Sequence, residues 1–220
     1  MMTEKRSTGF TRKAQPVTKA IAMLIVSVFA VNGASAVEGI CAAGEIETTV
    51  LVVRHAEKTC RRCDELSEEG LHRAKSLPAA VEKVTNGLSA VYHSDTKRTR
   101  QTVAHLDPKP HIEYARNSTE GELVAEIFED RCGQDVLVAG HSNTVPKILE
   151  LLGVPPGQID ARAWFPATRP DGVREIDHED HDDLFVVKRC GPCGKDGRSI
   201  LMHRNYGATT TAHAKAPRVP

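Results

Sequence analysis

The sequence predicts an α/β fold, a three-layer α/β/α sandwich with a mostly parallel sheet and a C-terminal β-hairpin. Three observations carry that prediction. Short β-branched apolar runs alternate with segments of helical periodicity through the first two thirds of the chain. Two late strand-like runs flank the turn-forming stretch CGPCGKDG. With 220 residues the chain is long enough for one such domain with a real core, and short for two.

The elements follow in order. Residues 48–53, TTVLVV, are continuously apolar and β-branched, as expected of a central strand buried on both faces. Residues 66–84 form a helical pattern with Ser67 as N-cap, two glutamates in the first turn, and Pro78 as an expected kink. LSAVYHS (88–94) reads as a second strand and TKRTRQTVAHL (96–106) as a short helix. HIEYA (111–115) is a third strand and TEGELVAEIFED (119–130) a helix with Leu123, Val124 and Ile127 inward. DVLVAGHS (135–142) is a fourth strand, and the helix 144–153 is stopped by Gly153 and the prolines after it. The β-α repeat implies parallel strands with helices on both faces. Residues 182–189 and 198–207 make the terminal hairpin, and residues 208–220 lack a core pattern and are expected to form a disordered tail.

The N-terminus reads as a secretory signal. Five basic residues (Lys5, Arg6, Arg12, Lys13, Lys19) precede the apolar run 20–31, which is too short to span a bilayer, and Ala34 and Ala36 form an A-x-A cleavage pattern. The expected organisation is a signal peptide at 1–36, a domain at 37–207 and the tail. All six cysteines lie beyond residue 36, and an even count in an exported chain favours disulfides. This places the mature protein in the periplasm or outside the cell, with no stable membrane contact after signal cleavage. The formal charge is zero, so nothing points to nucleic acid.

In open α/β sheets ligands sit at the carboxyl ends of the strands. There the first strand ends in Arg54-His55-Ala56-Glu57-Lys58, the second is followed by SDTKRTRQT with Arg98, and the fourth by Gly140-His141-Ser142-Asn143. Charged groups at such positions cost desolvation energy unless they are paired or used. Two arginines and two histidines suit a phosphate monoester. The guanidinium fork meets two oxygens at once, and a neutral imidazole offers a free nitrogen as nucleophile. A phosphoryl-imidazole splits one hard displacement into two easier ones. For this His55 must be neutral, while His141 is most useful charged, so the pocket is expected to push their pKa values apart.

LVVRHAEK, SDTKRTRQT and VLVAGHSNT, in this order and spacing, resemble the histidine phosphatase (phosphoglycerate-mutase-like) superfamily, in the manner of its short bacterial exported members. The resemblance covers residues 48 to 206 and includes LSEEGLHRA. It implies that His55 is the transiently phosphorylated nucleophile and that Arg54, Arg98 and His141 line the phosphate pocket; Asn143, two residues after His141, is a further candidate substrate contact. It implies no metal and no cofactor. Two departures stand out. Ala56 occupies a position where relatives most often carry Gly. The proton-donating acid falls among Glu120, Glu122 and Glu126, with Glu122 preferred.

The expected activity is therefore phosphomonoester hydrolysis on a small phosphorylated substrate or a phosphoprotein. A mutase is disfavoured because intracellular sugar phosphates are absent outside the cytoplasm. An alternative is a catalytically silent phosphate-binding protein. A third reading is thiol redox chemistry at Cys190-Gly-Pro-Cys193, weakened because no helix follows that motif. Cys60 and Cys63 with Cys190 and Cys193 could also suggest a four-thiolate zinc site. In the resembled fold the two pairs fall at opposite sheet edges, so local Cys60–Cys63 closure is expected, with bridges among Cys41, Cys132, Cys190 and Cys193. DHEDHDD (177–183), with His178 and His181, is read as a polar approach to the next strand rather than a cation site.

Overall fold

In this computed structural model the described residues are 40–107, 110–114, 119–160, 165, 167–168, 170, 172–194 and 196–210. The predicted signal lies outside them. A six-stranded sheet runs in the order β3-β2-β4-β1-β7-β8. Its strands are β1 (Ile46–Arg54), β2 (Ala90–Ser94), β3 (His111–Tyr114), β4 (Asp135–Gly140), β7 (Asp183–Gly191) and β8 (Arg198–Asn205). β1, β2, β3 and β4 are parallel, while β7 and β8 form the antiparallel hairpin. A two-residue ribbon, β5 (Ala167–Thr168) with β6 (Arg174–Glu175), stands apart from the sheet. No sequence signal anticipated it.

The continuous apolar run of β1 follows from its place between β4 and β7, covered on both faces. Val50 and Val52 pack into one cluster with α3 (Glu120–Asp130) and α4 (Thr144–Leu151), while Leu51 and Val53 pack into another with α1 (Glu68–Val81) and α2 (Lys97–Val103). All four are fully buried. A short helix, α5 (Pro156–Asp160), follows α4 and contributes Ile159 to the first cluster. No helix among the described residues is long and apolar enough to cross a membrane.

Local chemistry sets the helix starts. Ser67 Oγ accepts the N–H of Gly70 at 3.1 Å and caps α1. Gly70 is required by close approach, because a Cβ there would lie 2.2 Å from the Glu57 carbonyl oxygen. Pro78 is accommodated inside α1. Thr119 and Glu122 form a reciprocal capping box at the start of α3.

Three disulfides close the domain: Cys41–Cys190, Cys60–Cys63 and Cys132–Cys193. Such bridges belong with an oxidising environment. The CGPC sulfurs bond to two different partners, and a strand follows them, which removes the redox reading. Gly191 pairs with Ile46, so this turn sits at the amino end of β1, away from Cys60 and Cys63. That separation removes the four-thiolate reading. The expected tail boundary at 207 also moves. The Ala208 carbonyl accepts from Arg73 Nη1 at 2.8 Å, and Thr210 is buried with its hydroxyl donating to Asp182 at 2.8 Å. The packed domain therefore includes residues 208–210.

Candidate active site

Strand register brings the three motifs together. Arg54 of β1 lies opposite Gly140 of β4, and His93 of β2 lies opposite Ala139. One residue further on, His55, Ser94 and His141 emerge side by side. Arg54, His55, Arg98, His141 and Asn143 line one cavity of about 550 Å³ at this edge. Lys58, Asp95, Tyr114 and Glu120 complete its wall.

His55 is held on three sides. Its N–H donates to the Gly140 carbonyl at 2.9 Å, and its carbonyl accepts from His181 Nδ1 at 2.9 Å. Its own Nδ1 is 2.8 Å from the Ala56 carbonyl, which can only accept. The ring proton is thus on Nδ1, and the lone pair is on Nε2. Burial pulls the ring pKa down to about 2; the Ala56 bond opposes the shift, and Arg54, His141 and His181 add to it. His55 is neutral at working pH, as nucleophilic attack requires. Ala56 is fully buried with Leu66 and Ala74, and its N–H donates to Thr102 Oγ1 at 2.9 Å.

Arg54 is buried at 7 % exposure, and its Nη1 donates to the carbonyls of Asp177 (2.6 Å) and Asp180 (2.8 Å). Burial lowers its pKa to about 10 against the raising effect of Asp180 and Asp177, which leaves it cationic near neutral pH. Arg98 donates from Nη1 to Asp64 Oδ1 at 2.6 Å and from Nη2 to His141 Nδ1 at 3.2 Å. Among the described residues, the Nε atoms of Arg54 and Arg98 are buried and bonded to no protein acceptor. Two such donors on cationic forks are the chemistry of an oxyanion site.

His141 departs from expectation. Its Nδ1 accepts from Arg98, so its proton lies on Nε2 and is donated to Ser94 Oγ at 2.9 Å. Burial, then the charges of Arg98 and Arg54, lowers its pKa to about 4. The two histidines differ in the predicted order, yet both are neutral. Only a negative charge brought into the cavity would oppose that burial and favour protonation of His141.

Glu122 does not reach the cavity. Its carboxylate accepts the Thr119 N–H at 2.7 Å as the capping-box partner. Glu126 lies 3.3 Å from the Tyr92 hydroxyl, in a separate network with Arg131. Glu120 is the carboxylate of that helix on the cavity wall. The signature T-x-x-E at 119–122 carried this information, because it marks Glu122 as a capping residue.

The acidic loop before β7 behaves differently from the simple polar approach the sequence suggested. His181 is turned under His55, their rings 5.6 Å apart. Asp180, Asp182 and Asp183 are all buried, with carboxylate oxygens within 4.8 Å of one another. Thr210 and His203 answer them, His203 Nε2 lying 2.5 Å from Asp183 Oδ1. Burial, then the neighbouring Asp183, pushes the Asp180 carboxyl up to about 9, so it holds a proton at neutral pH.

The fold and site define an α/β protein with a histidine and two arginines in one cavity at the carboxyl ends of its parallel strands. Residues 50–119 match the model of the histidine phosphatase superfamily (branch 1). None of the curated proteins matches it. A structure assigned to the phosphohistidine phosphatase SixA of Nakamurella multipartitia aligns with a TM-score of 0.51 and 20 % identity over 74 % of this chain and 98 % of that one, which shows the shared fold. A second such assignment, from Agrobacterium tumefaciens, gives 0.47 and 21 % over 74 % and 99 %. A phosphoglycerate mutase of Plasmodium falciparum gives 0.43 and 16 % over 79 % and 96 %.

Proposed function

We propose that this chain is an exported phosphomonoester hydrolase that works through a phosphohistidine on His55 and needs no metal. The observation that carries the reading is one cavity that joins a neutral histidine, its Nε2 lone pair fixed by the Ala56 carbonyl, to two arginines with unspent buried N–H donors. Arg54 and Arg98 hold the phosphoryl oxygens. His55 Nε2 attacks phosphorus, forming the P–N bond as the ester P–O bond breaks. Glu120 is the proposed donor of the proton taken by the leaving oxygen. Water then attacks phosphorus and gives a proton back to the Glu120 carboxylate, the P–N bond breaks, and His55 returns neutral. His141 gains a proton as the dianion arrives and spreads positive charge around it. Phosphoproteins, including those with phosphohistidine, are a substrate class that the likeness to SixA supports. The three disulfides and the basic, apolar and A-x-A pattern of residues 1–36 support export with signal removal.

The test is hydrolysis of p-nitrophenyl phosphate by the purified protein with a metal chelator present, compared with His55→Ala. Turnover in the first and none in the second is expected. Equal turnover in both overturns the nucleophile. Phosphate binding without turnover in either assigns the pocket to a binding protein.

A further inference from the structure

Residues 57–66 lie on the connection from β1 to α1. They form a small hairpin. Lys58 bridges Leu66 in antiparallel fashion, the Thr59 N–H donates to the Glu65 carbonyl at 3.1 Å, and the Cys63 N–H donates to the Cys60 carbonyl at 3.1 Å. The Cys60–Cys63 disulfide closes its tip. Its returning arm is docked on α2. The Leu66 N–H donates to Gln101 Oε1 at 3.0 Å, and Glu65 pairs with the Lys97 ammonium. Asp64 spans both parts of the helix start: Oδ2 accepts the Lys97 N–H at 3.1 Å, and Oδ1 accepts from Arg98 Nη1 at 2.6 Å. Thr96, the N-cap residue of α2, makes no side-chain cap bond, so Asp64 satisfies that backbone donor from outside the helix.

We propose that Asp64 is a positioning residue for Arg98, delivered by the disulfide-closed hairpin. This rests on the reading of Arg98 as a phosphate ligand. A free arginine side chain samples many rotamers and loses them on binding. One held at Nη1 by Asp64 has lost much of that freedom before the substrate arrives, and it keeps this hold when the Nη2 bond to His141 is released. Asp64 itself is half exposed, on a ten-residue excursion with one short covalent tie. Opening that tie should let Asp64 wander and Arg98 with it.

The experiment measures inorganic phosphate affinity and steady-state hydrolysis of p-nitrophenyl phosphate. The proteins are the wild type, Asp64→Ala, Asp64→Asn, the pair Cys60→Ser/Cys63→Ser, the triple combination with Asp64→Ala, and Arg98→Ala. Asp64→Ala is expected to weaken phosphate binding and raise KM by about five- to tenfold, with kcat little changed. Asp64→Asn, which keeps one acceptor, should fall between. The cysteine pair should reproduce the Asp64→Ala shift, and the triple variant should add nothing further, because both changes remove the same restraint. Phosphate binding that is equal or tighter in Asp64→Ala, while Arg98→Ala weakens it, overturns the proposal and makes Asp64 a competitor of phosphate. Additive losses in the triple variant overturn the link to the disulfide. Unchanged binding in Arg98→Ala defeats the reading of the pocket itself, and the proposal with it.

Discussion

Arg98 Nη2 donates to His141 Nδ1 across 3.2 Å, so these two residues cannot both be cations in this arrangement. Protonating His141 places a hydrogen where Arg98 now donates, and it frees the guanidinium edge. A dianion in the cavity makes that exchange favourable, because its charge opposes the burial that holds His141 down to about 4.

Anion binding should therefore take up protons. Sulfate is a suitable probe, being a tetrahedral dianion that does not itself titrate near neutral pH. Between about pH 5 and 7, calorimetry in buffers of different ionisation enthalpy should find close to one proton taken up per sulfate bound, and binding should tighten as pH falls. His141→Gln should abolish the uptake. Uptake that persists in that variant would assign it to another group.

Stability should fall on the acid side. His55, His141 and His181 are all held below the ordinary 6.5, to about 2, 4 and 4, with burial the chief cause each time. Below about pH 6.5 the unfolded chain binds protons that the folded chain refuses, so their contribution is present above that pH and is lost as pH falls. The loss at about pH 5 is of order 1–2 kcal/mol per histidine. Thermal melts should show Tm falling over that interval.

Asp180 acts in the opposite sense. Its carboxyl is raised from 3.8 to about 9, so the stability it contributes is present at low pH and declines as pH rises toward 9. The wild type should then have a Tm maximum between the two limbs. Asp180→Asn keeps the shape of a protonated acid. It should raise Tm at alkaline pH by an amount that grows with pH, and steepen the acid limb. A Tm lowered equally at every pH would show that the carboxyl is needed for its contacts and not for its proton.

Glu57 and Arg73 form a bidentate pair, with Arg73 Nε 2.9 Å from both carboxylate oxygens, and Arg73 Nη1 also donates to the Tyr206 carbonyl at 2.8 Å. Their side chains are 14 % and 1 % exposed. Glu57→Gln strands a buried guanidinium and should cost about 3–5 kcal/mol. Denaturant melts should detect it as a lower midpoint with an unchanged slope. Glu57→Gln/Arg73→Met should recover much of the loss.

How much of this was legible depended on the range of the forces involved. The run 48–53 announced a buried strand because both its faces are covered, and the residues after it had to emerge at the edge where parallel strands end. Arg98 and His141 could be placed by the same logic. Glu122 was legible too, since T-x-x-E at 119–122 is a local capping signature that takes its carboxylate for the Thr119 N–H. His181, Asp180 and Asp182 were out of reach. Their burial depends on Thr210 and Tyr206 folding back from the far end of the chain, as in the 2.9 Å bond from the Tyr206 N–H to the Asp182 carbonyl. The cysteine pairings likewise depend on the register of β7 against β1, which composition does not encode.

Cys41 and Cys190 are 149 residues apart in sequence, and their bond turns most of the domain into a covalent ring. Ring closure of that size removes disorder from the unfolded chain worth about 5 kcal/mol in the chain-entropy model. It also changes what damage means. A protease that cuts once anywhere between these two cysteines leaves a single molecule, with both new ends still tethered at the amino edge of the sheet. Two cuts within the ring are needed before any piece of it can leave. In an oxidising environment, where that bond persists, the topology lets the pocket survive a first cut.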